Sequence, residues 1–188
     1  MKIGILGGTF NPVHLGHIRL AEGAVEKLCL DKLVFIPAYM PPHKPGEGMI
    51  SPEDRYRMVE LAVEGLAKIE VSDIEMRVKE KSYSINTVKK LKDIYGDHEI
   101  YFIAGSDYAD ELDTWKEIDA LKKLCNFIIA TRPGYKLESP PKDTRSIEIA
   151  TPDISSTNIR KRIVGERGFK ELVPEKVYGY IKDKRLYV

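Results

Sequence analysis

The chain has 188 residues, enough for one domain with a full hydrophobic core. Hydrophobic residues make up 43% and charged residues 31%, the balance of an ordinary globular protein, and the formal net charge is only +1. A chain this close to neutral has no overall field to gather a polyanion, so nucleic acid is not expected as a partner. No apolar run approaches the roughly 20 residues that span a bilayer, so no membrane is expected either. The opening MKIGILGGTF is too short in its apolar part for a signal peptide. Cys29 and Cys125 each sit in an apolar context and read as buried, reduced thiols. The expectation is a cytoplasmic protein.

Residues 2–6 (KIGIL) read as a short buried strand, and 15–30 as a helix with Ile18, Ala21, Val25 and Leu28 on one face. Residues 32–36 (KLVFI) are a second strand, followed by the loop PAYMPPHKPGEGMI, with four prolines. Ser51-Pro52-Glu53-Asp54 starts a helix that runs to about Gly65: a cap, a proline in the first turn and two acids at the positive end. A strand is expected at 68–72, and residues 73–81 are read as extended and poorly buried. Ser84 opens a helix that Gly96 ends. EIYFIA (99–104) is a strand, GSD begins a turn and helix, 115–124 is a helix and CNFIIA (125–130) a strand. Residues 146–150 are a candidate last strand; Ser155 or Ser156 caps a helix to about Val164, and Pro174 opens a final one.

Strands alternate with helices throughout, and the strand runs are apolar as in sheets covered on both faces. The expected fold is α/β: a Rossmann-like, doubly wound, mostly parallel sheet with helices on both faces. It forms a single domain over 1–188, with a small helical part from about 154. Ligands of such sheets bind at the carboxyl ends of the strands where the order reverses. GGTFNPVH and GSD each follow an apolar strand directly and should meet there.

The stretch GGTFNPVHLGH (7–17) is neither GxGxxG nor a P-loop, yet it shares their ingredients. Gly7 and Gly8 admit a ligand to the backbone, Thr9 and Asn11 are polar, and a helix opens near His14. His14 and His17 lie three apart and project from one face of its first turn. Three readings stand side by side. A metal site lacks further ligands nearby, a packed or capping histidine is the bland choice, and phosphate contact uses every part of the pattern.

GGTFNPVHLGH resembles the (H/T)xGH signature of the nucleotidylyltransferase superfamily. Four further blocks in order, PPHK (41–44), SYSINTV (82–88), FIAGSD (102–107) with Trp115, and ISSTNIRKRI (154–163), are similar to bacterial nicotinate-nucleotide adenylyltransferases. Asn11 stands where that family often has Asp, and SYS where SYT is common. The resemblance implies adenylyl transfer from ATP to nicotinate mononucleotide, a step of NAD biosynthesis, with Mg²⁺ carried mainly on the ATP phosphates and no metal site of the protein's own. It implies catalytic roles for His14, His17 and Arg160. It puts ATP against Gly7, Gly8, Thr9, Phe10, His14, His17, Gly105, Ser155, Ser156, Thr157 and Arg160. The mononucleotide falls to His43, Lys44, Ser84, Ile85, Asp107 and Trp115.

Physical readings run alongside. Ser155, Ser156 and Thr157 can cap a helix and leave N–H groups for phosphate, with Arg160 one turn on. Backbone N–H groups near Ser84 and Ile85 can receive a carboxylate; Asp107 is an acceptor or a cap; Trp115 is core or a stacking platform. The competing functions are other transferases with the first motif (for phosphopantetheine or cytidylyl transfer), use of nicotinamide mononucleotide, and a noncatalytic nucleotide-binding module. The sequence leaves open whether the chain is a monomer or a homo-oligomer.

Overall fold

The computed structural model describes residues 1–42, 48–132 and 141–188. Six strands form one sheet: β1 (Lys2–Gly8), β2 (Lys32–Pro37), β3 (Ile69–Val71), β4 (Glu99–Gly105), β5 (Asn126–Thr131) and β6 (Arg145–Glu148). Their order is β3-β2-β1-β4-β5-β6, and every pairing is parallel. Parallel neighbours need crossovers, and helices supply those that connect β1 through β5. These are α1 (Leu15–Lys27), α2 (Pro52–Val63), α3 (Ile74–Val78), α4 (Ser84–Tyr95), α5 (Ile118–Leu124), α6 (Ser156–Val164) and α7 (Glu175–Asp183). A 3₁₀ stretch, Ser106–Thr114, follows β4.

Alternate strand residues serve two cores. On one face Leu6, Leu33, Phe35, Ile103 and Ile128 pack with residues of α1, α2, α6 and α7. On the other Ile3, Ile5, Val34, Ile36, Phe102 and Ile129 pack with residues of α4 and α5. The doubly wound arrangement read from the sequence is thus present, with the sheet wholly parallel. No helix among the described residues is long and apolar enough to cross a membrane.

Two readings are corrected. Residues 74–78 are helical, not extended. Ile74 and Val78, four apart, share a face, Arg77 Nε pairs with Asp73 at 2.8 Å, and Lys79 closes the turn at φ 55°. The strand reading survives only as a single bridge between Met40 and Lys81. Cys29 is exposed rather than buried, because the chain turns through φ 51° there on leaving α1. Cys125 is half-buried, and burial pushes its thiol up to about 12; both thiols are free.

Helix α2 is held at its start from two sides. Ser51 Oγ accepts from the Asp54 N–H at 3.0 Å and donates to its carboxylate at 2.6 Å. Tyr180 OH, from α7, donates to the other oxygen of that carboxylate at 2.7 Å. Replacing Ser51 with Ala removes the cap and should lower stability by about 1 kcal/mol, read as a drop in the urea midpoint with unchanged slope.

Candidate active site

The strand order reverses between β1 and β4, and their carboxyl ends, Gly8 and Gly105, open a crevice. The turn after β1 is tightly built. A Cβ on Gly8 would sit 2.7 Å from the Phe10 ring, which folds back with φ 50°. Phe10 then places its ring edge against His17, centroids 5.0 Å apart. His14 caps α1, and its backbone N–H donates to His17 Nδ1 at 3.2 Å. With Nδ1 accepting, the neutral His17 ring carries its proton on Nε2. The two imidazoles stack at 3.7 Å. Gly16 permits the fold-back of His14, since a Cβ there would lie 3.0 Å from His14 Nδ1.

His14 is 6% exposed, and its Nδ1 is buried without a partner. Burial, and secondly the charge of Arg132, lower its pKa to about 4, so the ring is neutral at physiological pH. An unpartnered buried nitrogen is costly unless something binds it.

Helix α6 is fastened to this turn. Ser155 Oγ caps it by accepting from the Asn158 N–H at 3.1 Å. Ser156 Oγ donates to Pro12 O at 2.8 Å, and Arg160 Nη1 donates to Asn11 O at 2.7 Å. Arg160 Nη2 reaches Thr157 Oγ1 at 3.4 Å. Asn11 turns its side chain inward: Nδ2 donates to Gly48 O at 3.0 Å, and Oδ1 accepts from Tyr187 OH at 2.9 Å and from the Ile50 N–H at 3.4 Å.

A cleft of about 520 Å³ lies over the crevice. Gly7, Gly8, Thr9, Phe10, His14, His17, Gly105, Ser155, Ser156, Thr157 and Arg160 all line it, as does Asp107. A smaller cavity of about 110 Å³ adjoins it, with Ser84 and Trp115 in its wall. The two share Gly7, Gly8, Thr9 and Tyr108. Trp115 has its edges in an aromatic cluster with Phe102, Tyr108 and Phe127, at centroid distances of 6.0, 5.8 and 6.0 Å. It is thus both core and cavity wall. Ile85 is fully buried and lines neither cavity. Asp107 borders the larger cleft and not the smaller cavity. His43 and Lys44 lie outside the described residues.

The sequence reading missed several residues. Arg132 lines the larger cleft and pairs with Asp153 at 2.5 Å. Lys116, held 4.7 Å over the Tyr83 ring, lines the smaller cavity. Arg55 is fully buried behind the wall the two cavities share, with its side chain on the carbonyls of Thr9, Ala38, Tyr39 and Ile50. It had a signal: residues 55, 58, 59 and 62 form the buried stripe of α2, and a cation interrupts that stripe. Tyr187 had none, because 176 positions separate it from Asn11.

A cytidylyltransferase-like family model matches residues 5–162. A probable nicotinate-nucleotide adenylyltransferase of Desulfitobacterium hafniense strain Y51 is 41% identical over 197 residues, covering 99% of this chain and 95% of that one. The chain belongs to the nicotinate-nucleotide adenylyltransferase family. A probable nicotinate-nucleotide adenylyltransferase of Listeria monocytogenes serotype 4a is likewise 41% identical, covering 99% and 97%. The nicotinic acid mononucleotide adenylyltransferase of Plasmodium falciparum, solved in complex with NaAD, shares the fold with a TM-score of 0.82 at 22% identity, covering 99% and 97% of the two chains.

The depressed pKa of His14 has a definite consequence for stability. The unfolded chain takes up a proton at this imidazole near its ordinary 6.5, the folded chain only near 4. Its contribution is therefore complete above pH 6.5 and is lost as pH falls toward 4. The slope is at most about 1.4 kcal/mol per pH unit. In paired urea titrations, His14→Asn should lose less stability than the native chain over that window.

Proposed function

We propose that the chain transfers the adenylyl group of ATP to nicotinate mononucleotide, giving nicotinate adenine dinucleotide and pyrophosphate. One observation carries the reading: a larger cleft lined by histidines and a helix start meets a smaller, aromatic-walled cavity across the Gly7–Thr9 backbone. The first suits a triphosphate and the second a flat ring. The full-length likeness to nicotinate-nucleotide adenylyltransferases supports the choice of substrates.

The mononucleotide phosphate attacks the α-phosphorus of ATP in line. A new P–O bond forms, the bond to the bridging oxygen breaks, and its electron pair leaves with pyrophosphate. A phosphate monoester has a second pKa of about 6, so the nucleophile is already ionised and needs no protein base. What the chain supplies is placement and charge. His17, whose Nδ1 accepts from the His14 N–H, lines the cleft and contacts a phosphate oxygen there. His14 brings its unpartnered Nδ1 to the same cleft, and the approach of a polyphosphate favours protonation there against the effect of burial. Arg160 and the first turn of α6 take the leaving pyrophosphate. At the other end, Trp115 stacks on the pyridine ring, Ser84 at the start of α4 receives its carboxylate, and Lys116 adds a cation beside them.

Among the described residues no three His, Cys, Asp or Glu stand together as a metal site. Mg²⁺ would be carried on the ATP phosphates, with Asp107 the one carboxylate among the described residues that lines the cleft. When bound it supplies further charge neutralisation.

Pyrophosphate release with ATP and Mg²⁺ tests the reading, with nicotinate mononucleotide, nicotinamide mononucleotide and phosphopantetheine compared in parallel. The first should turn over fastest. Faster release with another acceptor would overturn the substrate assignment, and no release with any would make the chain a binding module. His17→Ala should cut kcat by about 100-fold, the scale of losing one donor to developing charge, with little loss of stability. Near-native turnover would remove His17 from the chemistry.

A further inference from the structure

Arg55 is the largest fully buried side chain among the described residues. Its hydrogen bonds go only to backbone carbonyls, on three separate segments. Nη1 donates to Thr9 O at 2.9 Å and to Ala38 O; Nη2 donates to Tyr39 O at 2.9 Å; Nε reaches Ile50 O at 3.4 Å. Thr9 borders both cavities, and Ala38 borders the smaller one. The Ala38 N–H also donates to Gly8 O at 2.8 Å, so the two loops are pinned twice.

An apolar side chain would pack here without the cost of burying a charge, but it would leave these carbonyls without a donor. A lysine would keep the charge but not the planar fork that spans several acceptors at fixed spacing. What the guanidinium provides is a rigid separation between the backbone at Thr9 and the backbone at Ala38 and Tyr39. Thr9 lines both cavities and Ala38 only the smaller one, with Tyr39 just behind it.

We infer that Arg55 is a positioning residue: by clamping Thr9 to Ala38 and Tyr39 it fixes where the wall of the smaller cavity stands relative to the turn that both cavities share, and with it the in-line approach of the two phosphates. The kinetic part of this inference rests on the adenylyl-transfer reading. The structural part does not.

The test uses the full chain with Arg55→Lys and Arg55→Met. Without ligand, amide hydrogen exchange should quicken at residues 8–10 and 38–40 while β4 and β5 keep their native protection. With both substrates kcat should fall about 100-fold, the scale of an ångström of misplacement. The dissociation constants of a nonhydrolysable ATP analogue and of nicotinate mononucleotide, each measured alone by Trp115 fluorescence, should stay within about threefold of native, since each cavity keeps its own wall groups. A folded variant with near-native kcat would overturn the inference. So would weakened binding of each ligand that accounts for the whole kinetic loss. Exchange that rises evenly over the sheet, or failure of both variants to fold, would overturn it too, since the fold and not the spacing would then depend on the guanidinium. If the native chain releases no pyrophosphate with nicotinate mononucleotide, the substrate reading falls, and the exchange pattern alone decides for or against Arg55.

Discussion

The site depends on the reversal of strand order between β1 and β4. Crossovers from these strands leave to opposite faces of the sheet, so their carboxyl ends are not roofed by a common helix. That geometry leaves backbone exposed at the ends of two otherwise buried strands. The glycine turn after β1 and the 3₁₀ stretch after β4 fill the gap from either side, and each lines the same cleft. Parallel pairing makes the crevice one-ended, which is why ligand-facing groups collect on this edge.

On that edge the chain holds neutral donors and arginines close together. His14 is kept uncharged by burial and by Arg132, while Arg160 stays partly exposed on a carbonyl and a hydroxyl. Among the described residues, the resting positive charge of the cleft is that of Arg132 and Arg160. Preorganised dipoles and fixed cations of this kind suit a reaction whose nucleophile arrives already ionised and whose leaving group carries the charge away.

Much of the fold was legible because its signals are local. Apolar strand runs, the Ser51-Pro52 start and the Gly96 stop each depend on a few neighbouring residues. The short helix at 74–78 was not, since five residues carry too little periodicity to separate a turn of helix from an edge strand. Many of the cleft residues were legible because they cluster in two segments, 7–17 and 155–160, that each combine a helix start with polar side chains, whereas Arg132 stands alone at the end of β5. The framework behind them was not. Arg55 reads as a first-turn charge on α2 until the apolar stripe it interrupts is noticed, and what it holds is backbone, which has no signature in side-chain identity. Lys116 is hidden by a contact with Tyr83, 33 positions away, that only the folded chain makes.

The contact between Tyr187 and Asn11 sets an order of events during synthesis. The glycine turn leaves the ribosome before the hydroxyl that tethers Asn11 Oδ1, which follows 176 positions later. Domains made vectorially acquire local contacts before distant ones. A nascent chain that has completed β1 to β5 thus possesses the sheet and its crevice, but Asn11 still lacks both Arg160 and Tyr187. Until those partners arrive the Asn11 side chain has only Gly48 O and the Ile50 N–H as partners among the described residues, so the turn after β1 is completed late in the life of the growing polypeptide.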